Sequence, residues 1–152
     1  MKKFLIPMLT VLYCTITANA QRLPEFSFSG NGNKKITVAN LQANKPVIVF
    51  LFDPYCDHCE KQAEWIKKDL KKFDGINLLW VSTESLDDIN SFAKRYFPAV
   101  SNIIFCSDQD FMFDDWFGYS EVPSIYVYDK NRNRVAAFKK ETPVEEMLKP
   151  LK

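Results

Sequence analysis

The chain alternates between short runs in which every position is apolar and longer stretches that are apolar on one side only. Residues 47–52 are all apolar and mostly β-branched or aromatic. A strand of that kind is covered on both faces of a sheet, and Asp53-Pro54 ends it. Just beyond, Cys59, Ala63, Ile66, Leu70 and Phe73 recur at steps of four and three. That spacing predicts a helix with one apolar face. Lys61, Lys67, Lys68, Lys71 and Lys72 lie off that face, and Gly75 is a natural stop. Residues 76–82 predict a second buried strand. Ser85 reads as the N-cap of a helix, with Ile89, Phe92, Ala93, Tyr96 and Phe97 inward and Pro98 past its end.

The second half continues the alternation. Residues 103–106 read as a short strand, and the acidic, aromatic stretch 108–118 fits a short helix ending at Gly118. Residues 124–128 read as a strand, 129–133 as a turn and 134–139 as an antiparallel return. Thr142-Pro143-Val144-Glu145 has the form of a capping box with Pro at the first helical position, and the last helix runs toward Pro150. Ahead of all this, residues 24–28 and 35–38 alternate around a turn at 30–33, as a β-hairpin does. The sum is one α/β domain with a central mixed sheet flanked by helices and an N-terminal β-hairpin.

Length and charge narrow the picture. The 152 residues suit one domain. A formal net charge of +1 carries none of the basic excess of a nucleic-acid or membrane-surface binder. Residues 1–20 stand apart: Lys2 and Lys3, then an apolar run, then Ala18-Asn19-Ala20, the pattern of a cleaved signal peptide with Gln21 as the first mature residue. The alternative, a membrane anchor, needs ~20 predominantly apolar residues, and this run is shorter. Lipidation of Cys14 is a further alternative, but Tyr13 stands where a small residue is normal. Loss of Lys2 and Lys3 leaves 18 basic residues against 19 acidic. The domain, residues 21–152, is therefore expected to be periplasmic or otherwise extracytoplasmic, where disulfides persist.

Three cysteines remain after such cleavage, a close pair and a singleton. Cys56-Asp57-His58-Cys59 sits where a buried strand meets a helix. A helix N-terminus carries unpaired N–H groups and partial positive charge, which favour a thiolate, and the thiolate is the nucleophile. Cys56 is expected to be exposed and Cys59 tucked inward on the apolar face. His58, the only histidine, would favour the Cys56 thiolate and the reduced pair. Asp57 and Glu60 would oppose it. The competing reading of His58 is an exposed helix residue with no redox role. Cys106 ends a predicted strand and reads as core packing, with an extra redox or metal-binding thiol as the alternative. The acidic residues at 108–115 lack the glycine and bidentate glutamate of a calcium loop. They read as one side of a segment that packs Phe111, Phe113, Trp116 and Phe117.

These residues resemble the thioredoxin-like superfamily, and within it the extracytoplasmic TlpA/ResA-type thiol-disulfide oxidoreductases. The likeness spans nearly the whole of residues 21–152. It rests on Pro24-Glu25-Phe26 and residues 35–41, on Lys45-Pro46 leading through the apolar strand to Pro54-Tyr55-Cys56, and on Val122-Pro123 before residues 124–129. The resemblance implies a thioredoxin-like fold and a redox-active disulfide between Cys56 and Cys59 with no other cofactor. It also implies a cis Pro123 against the cysteines, where the residues alone would equally allow a trans proline opening an edge strand. Val122 would pair its backbone with substrate, and Tyr55 would shield the sulfurs. Two departures stand out. Phe50 replaces the buried acid of thioredoxins, and Gln62 replaces a helix glutamate of ResA-type reductases. Either acid would manage the proton of the resolving cysteine, which leaves Asp53, Asp57 and Glu60 as substitutes by sequence proximity.

The expected activity is thiol-disulfide exchange with exported proteins, with the reductase direction slightly favoured by family type and a membrane-bound redox partner supplying electrons. An oxidase or isomerase is the alternative favoured by His58. A non-enzymatic copper or zinc carrier using Cys56, His58 and Cys59 is another alternative, as is a binding domain with vestigial cysteines. A monomer without nucleic-acid partners is expected.

Overall fold

The computed structural model describes residues 21–98 and 102–152. The expected signal peptide and Cys14 lie outside the described residues. Among the described residues seven strands form one mixed sheet: β1 (Ser27–Gly30), β2 (Lys34–Thr37), β3 (Val47–Leu51), β4 (Asn77–Ser82), β5 (Ile103–Ser107), β6 (Ser124–Tyr128) and β7 (Arg134–Phe138). Their order across the sheet is β2-β1-β5-β4-β3-β6-β7. β3, β4 and β5 run parallel, and β6 and β7 add antiparallel on one side. On the other side the β1–β2 hairpin joins β5 through the pair Ser29 and Ser107. Among the described residues four α-helices complete the fold: α1 (Asp57–Lys68), α2 (Leu86–Tyr96), α3 (Phe113–Phe117) and α4 (Val144–Leu148).

The all-apolar reading of β3 follows from its place. Ile48 and Phe50 face one core together with Ala63 and Ile66 of α1, Phe92 of α2 and Met147 of α4. Val47, Val49 and Leu51 face a second core with Phe28 of the hairpin and Phe113 and Phe117 of α3. Successive strand residues point to opposite faces, so a strand between two cores has no polar side to show. Trp80 stacks on Phe50 with ring centroids 4.3 Å apart and meets Phe52 edge-on at 5.2 Å.

Four local expectations need correction. The first helix does not run on to Gly75. It ends at Lys68, a 3-10 turn (Leu70–Phe73) follows, and Gly75 turns the chain at φ 78° beyond it. Ala93 is half-buried rather than inward. Phe111 is 72% exposed with φ 55°, because the Asp108 carboxylate accepts the N–H groups of Met112 and Phe113 and so starts α3 two residues later. The capping box at Thr142 does not form. Pro143 occupies the N-cap with no side-chain cap, since the Thr142 hydroxyl donates to the Lys140 carbonyl. Ser85, by contrast, caps α2 as expected and accepts the Asp88 N–H at 3.2 Å.

Candidate active site

β3 delivers the chain to the site at the carboxyl end of the parallel strands, where α/β sheets place their ligands. After Leu51 the backbone turns through Asp53. Its side chain accepts the Tyr55 N–H at 2.7 Å, and its carbonyl accepts the Cys56 N–H at 3.2 Å. Pro54 is buried within this turn. Cys56 is then the N-cap of α1, with extended φ and ψ of −89° and 120°. Its carbonyl accepts from Cys59 and Glu60 at 2.9 and 3.0 Å, which starts the helix. The first cysteine therefore stands at the positive end of a twelve-residue helix.

The two thiols differ in setting. Cys56 is half-buried and Cys59 is fully buried on the inner face of α1; both are free thiols. Burial pushes the Cys59 thiol well above its ordinary range. The Asp53 N–H, which donates to the Cys59 sulfur at 3.5 Å, offsets part of this, and the neighbouring Cys56 thiol adds to it. Asp53 thus reaches Cys59 through its backbone. Asp57 is exposed in the first turn of α1. Glu60 is paired with Arg95 of α2 at 2.7 Å, so its charge is already met.

Across the sheet, Leu51 pairs with Ser124. The preceding Val122–Pro123 bond is cis, Pro123 is buried, and it lies opposite the point where β3 leaves for the turn that carries Cys56. Val122 is 43% exposed, and among the described residues its backbone has no hydrogen-bond partner. Tyr55 is exposed, and its hydroxyl donates to Asp88 at the start of α2. That bond lowers the Asp88 carboxyl, after the larger effect of Ser85, and raises the Tyr55 phenol.

One residue not singled out from the sequence, Glu141, joins the site. His58 turns its Nδ1 to Glu141, 3.1 Å away in the loop after β7. Lys61, one turn along α1, meets the other Glu141 oxygen at 3.2 Å. A hydrogen bond from its own backbone, then those from His58 and Lys61, hold the Glu141 carboxyl down at about 2. Beside it, the buried Thr142 donates its N–H to Gln62 Oε1 at 2.7 Å. Gln62 is fully buried one turn after Cys59, and among the described residues its amide nitrogen has no partner. Its burial had a sequence signal, since 59, 62, 63 and 66 share a helix face. Glu141 had none. Cys106 is buried in β5, its sulfur 3.6 Å from the Trp80 carbonyl. Among the described residues no three His, Cys, Asp or Glu groups gather as a metal site.

Against known proteins, residues 20–137 match the model of the AhpC/TSA family, to which this chain belongs. A secreted disulfide oxidoreductase of Mycobacterium tuberculosis, homologous to Escherichia coli DsbE, is 16% identical. The match covers 78% of this chain and 86% of that one, with a TM-score of 0.64. A putative thiol:disulfide interchange protein DsbE from Chlorobium tepidum is 15% identical, over 84% and 89%, at 0.68. The thioredoxin domain of a Bacteroides vulgatus thiol-disulfide oxidoreductase is 18% identical, over 87% and 94%, at 0.68. At these identities the likeness is one of fold. No curated protein matches the chain. The fold is thioredoxin-like.

Proposed function

We propose that this member of the AhpC/TSA family exchanges disulfides with exported proteins through Cys56 and Cys59, running in the reductase direction. One observation carries the reading: a half-buried cysteine stands at the N-cap position of a helix, and a fully buried one sits a turn inside it, at the strand end facing a cis-proline. In the first step the Cys56 thiolate attacks a substrate disulfide. One S–S bond breaks, a mixed disulfide forms, and the departing sulfur leaves as a thiolate. Cys59 then gives up its proton and attacks the Cys56 sulfur, which releases the second substrate thiolate. Two electrons pass to the substrate, and Cys56 and Cys59 become a disulfide. A membrane-bound redox partner would restore the dithiol.

Several features support parts of this scheme. The Asp53 N–H aimed at the Cys59 sulfur stabilises negative charge there as the proton leaves. The unpartnered backbone of Val122 is free to pair with an extended substrate chain.

Trapping tests the scheme. Expressed in the native host, Cys59→Ser should hold exported proteins as mixed disulfides that mass spectrometry identifies. Cys56→Ser should hold none and should reduce insulin no faster than buffer. Equal insulin reduction by Cys56→Ser and the wild type would end the proposal. A reduction potential near ~−270 mV supports the reductase direction, and one near ~−120 mV supports the oxidase. Export itself predicts that protein recovered from outside the cytoplasm begins at Gln21.

A further inference from the structure

We propose that Tyr55, held in place by Asp88, is a specificity-determining residue that favours substrate disulfides whose cysteine is flanked by arginine or lysine. The inference deepens the oxidoreductase reading above and rests on it. Tyr55 comes directly before Cys56, and it is 69% exposed. An exposed side chain is ordinarily loose, but this residue is fixed at both ends. Its N–H is held by the Asp53 side chain at 2.7 Å, and its hydroxyl donates to the Asp88 carboxylate at 2.5 Å. The other Asp88 oxygen takes the Ser85 hydroxyl at 2.5 Å, and the Asp88 N–H donates back to Ser85 at 3.2 Å. The ring is therefore set against the start of α2 before any substrate arrives. Little side-chain freedom remains to be lost on binding.

Both polar groups of Tyr55 are engaged within the protein, so the ring face is what it offers a partner. A ring face attracts cations. Its surroundings favour them further. The hydrogen bond to Asp88 raises the phenol first, burial adds to this, and the charges of Glu84 and Asp53 act in the same direction. Among the described residues the Glu84 carboxylate takes part in no ion pair. Residues 52–60, 83–93 and 108–123 carry the turn after β3, the start of α2 and the approach to Pro123, and they contain no lysine or arginine. Cations on adjoining segments are engaged: Lys61 with Glu141, Arg95 with Glu60, and Lys139 with the Tyr119 carbonyl and the Tyr126 hydroxyl. Lys94 lies in the last turn of α2, away from Asp88. Neighbouring residues in a chain are ~3.8 Å apart, so a substrate cysteine that reaches Cys56 brings its flanking side chains to Tyr55. An arginine there lays its planar head or its stem on the ring, within the field of Glu84 and Asp53.

The test uses three symmetric peptide disulfides that differ only in the two residues flanking the cysteine: arginine, leucine or glutamate. Reduced protein is mixed with excess peptide. Each turnover converts one peptide disulfide into two thiols and leaves Cys56 and Cys59 joined, which acid quenching and mass read out. Every rate is divided by that of dithiothreitol on the same peptide, which removes the effect of the flanking charge on the peptide's own sulfur. The wild type should prefer the arginine peptide to the leucine peptide about fivefold, the scale of one exposed cation–ring contact, and should disfavour the glutamate peptide. Tyr55→Phe keeps the ring but frees it from Asp88, and its preference should fall to about twofold; Tyr55→Ala should show none. A ratio between peptides cancels any general loss of rate or of folded protein in a variant. Equal wild-type rates on the three peptides, or a preference that survives Tyr55→Ala, would overturn the inference while the oxidoreductase reading stands. A preference unchanged in Tyr55→Phe would overturn the role given to Asp88. A wild-type protein that no peptide disulfide oxidises sinks both readings.

Discussion

One helical turn separates two thiols of opposite character. Cys56 stands at the helix mouth, half-buried. Cys59 has no exposed surface, and its burial holds the thiol protonated through the ordinary range. Cys106 is raised in the same way, by burial first and then by the nearby Asp108. Only thiolates alkylate at useful rates. At pH 8 the reduced, folded protein should therefore take up one iodoacetamide adduct, at Cys56, and peptide mapping should find Cys59 and Cys106 unlabelled until denaturant is added. Labelling of Cys59 as fast as Cys56 would contradict the geometry. The cysteines were legible in the sequence because an apolar strand and a helical period meet there. The partner of His58 was not. Glu141 lies 80 residues beyond Lys61, and nothing local to either position says that the loop after β7 folds over α1.

The secondary-structure elements show which local signals are reliable. Ser85 and Thr142 both precede helical patterns and look alike as caps. Ser85 has no competing partner, so its hydroxyl is free to accept from Asp88 N–H and to donate to the Asp88 carboxylate. Thr142 is drawn inward, where its N–H meets Gln62 and its hydroxyl meets Lys140. Tertiary contact overrides the capping motif there, as buried partners often do for local preference. The same competition ends α1 at Lys68, where a 3-10 turn carries Phe73 into the core. Ser85→Ala should therefore cost about 1 kcal/mol, the usual loss for a polar N-cap, read as a lower urea midpoint with unchanged m-value. It should also loosen Tyr55, whose hydroxyl is held by the same Asp88. No change in midpoint would show that Ser85 does not cap α2 in solution.

Across the whole molecule, the alternation of strands and helices foretold the mixed sheet, but not that the hairpin would extend it beside β5. That edge rests on a single residue pair, Ser29 with Ser107, which no periodicity encodes. The loop carrying Glu141 is tied to α1 in a similar way, by a few side chains rather than by a pattern, and this gives the fold an acid-sensitive seam. Glu141 has an ordinary value of 4.5 when unfolded and about 2 in place. Between those values the unfolded chain binds more protons than the folded one, so stability declines as pH falls. The contribution of this carboxylate is fully present above about 4.5 and gone below about 2. Glu145, lowered chiefly by Lys72, and Asp88, lowered chiefly by Ser85, work in the same direction. The urea midpoint of the wild type should therefore drop through this acid window. Glu141→Gln cannot protonate, so its midpoint should drop less steeply, and the two curves should converge toward pH 2. Parallel curves would mean that the carboxylate does not hold His58 and Lys61 in solution.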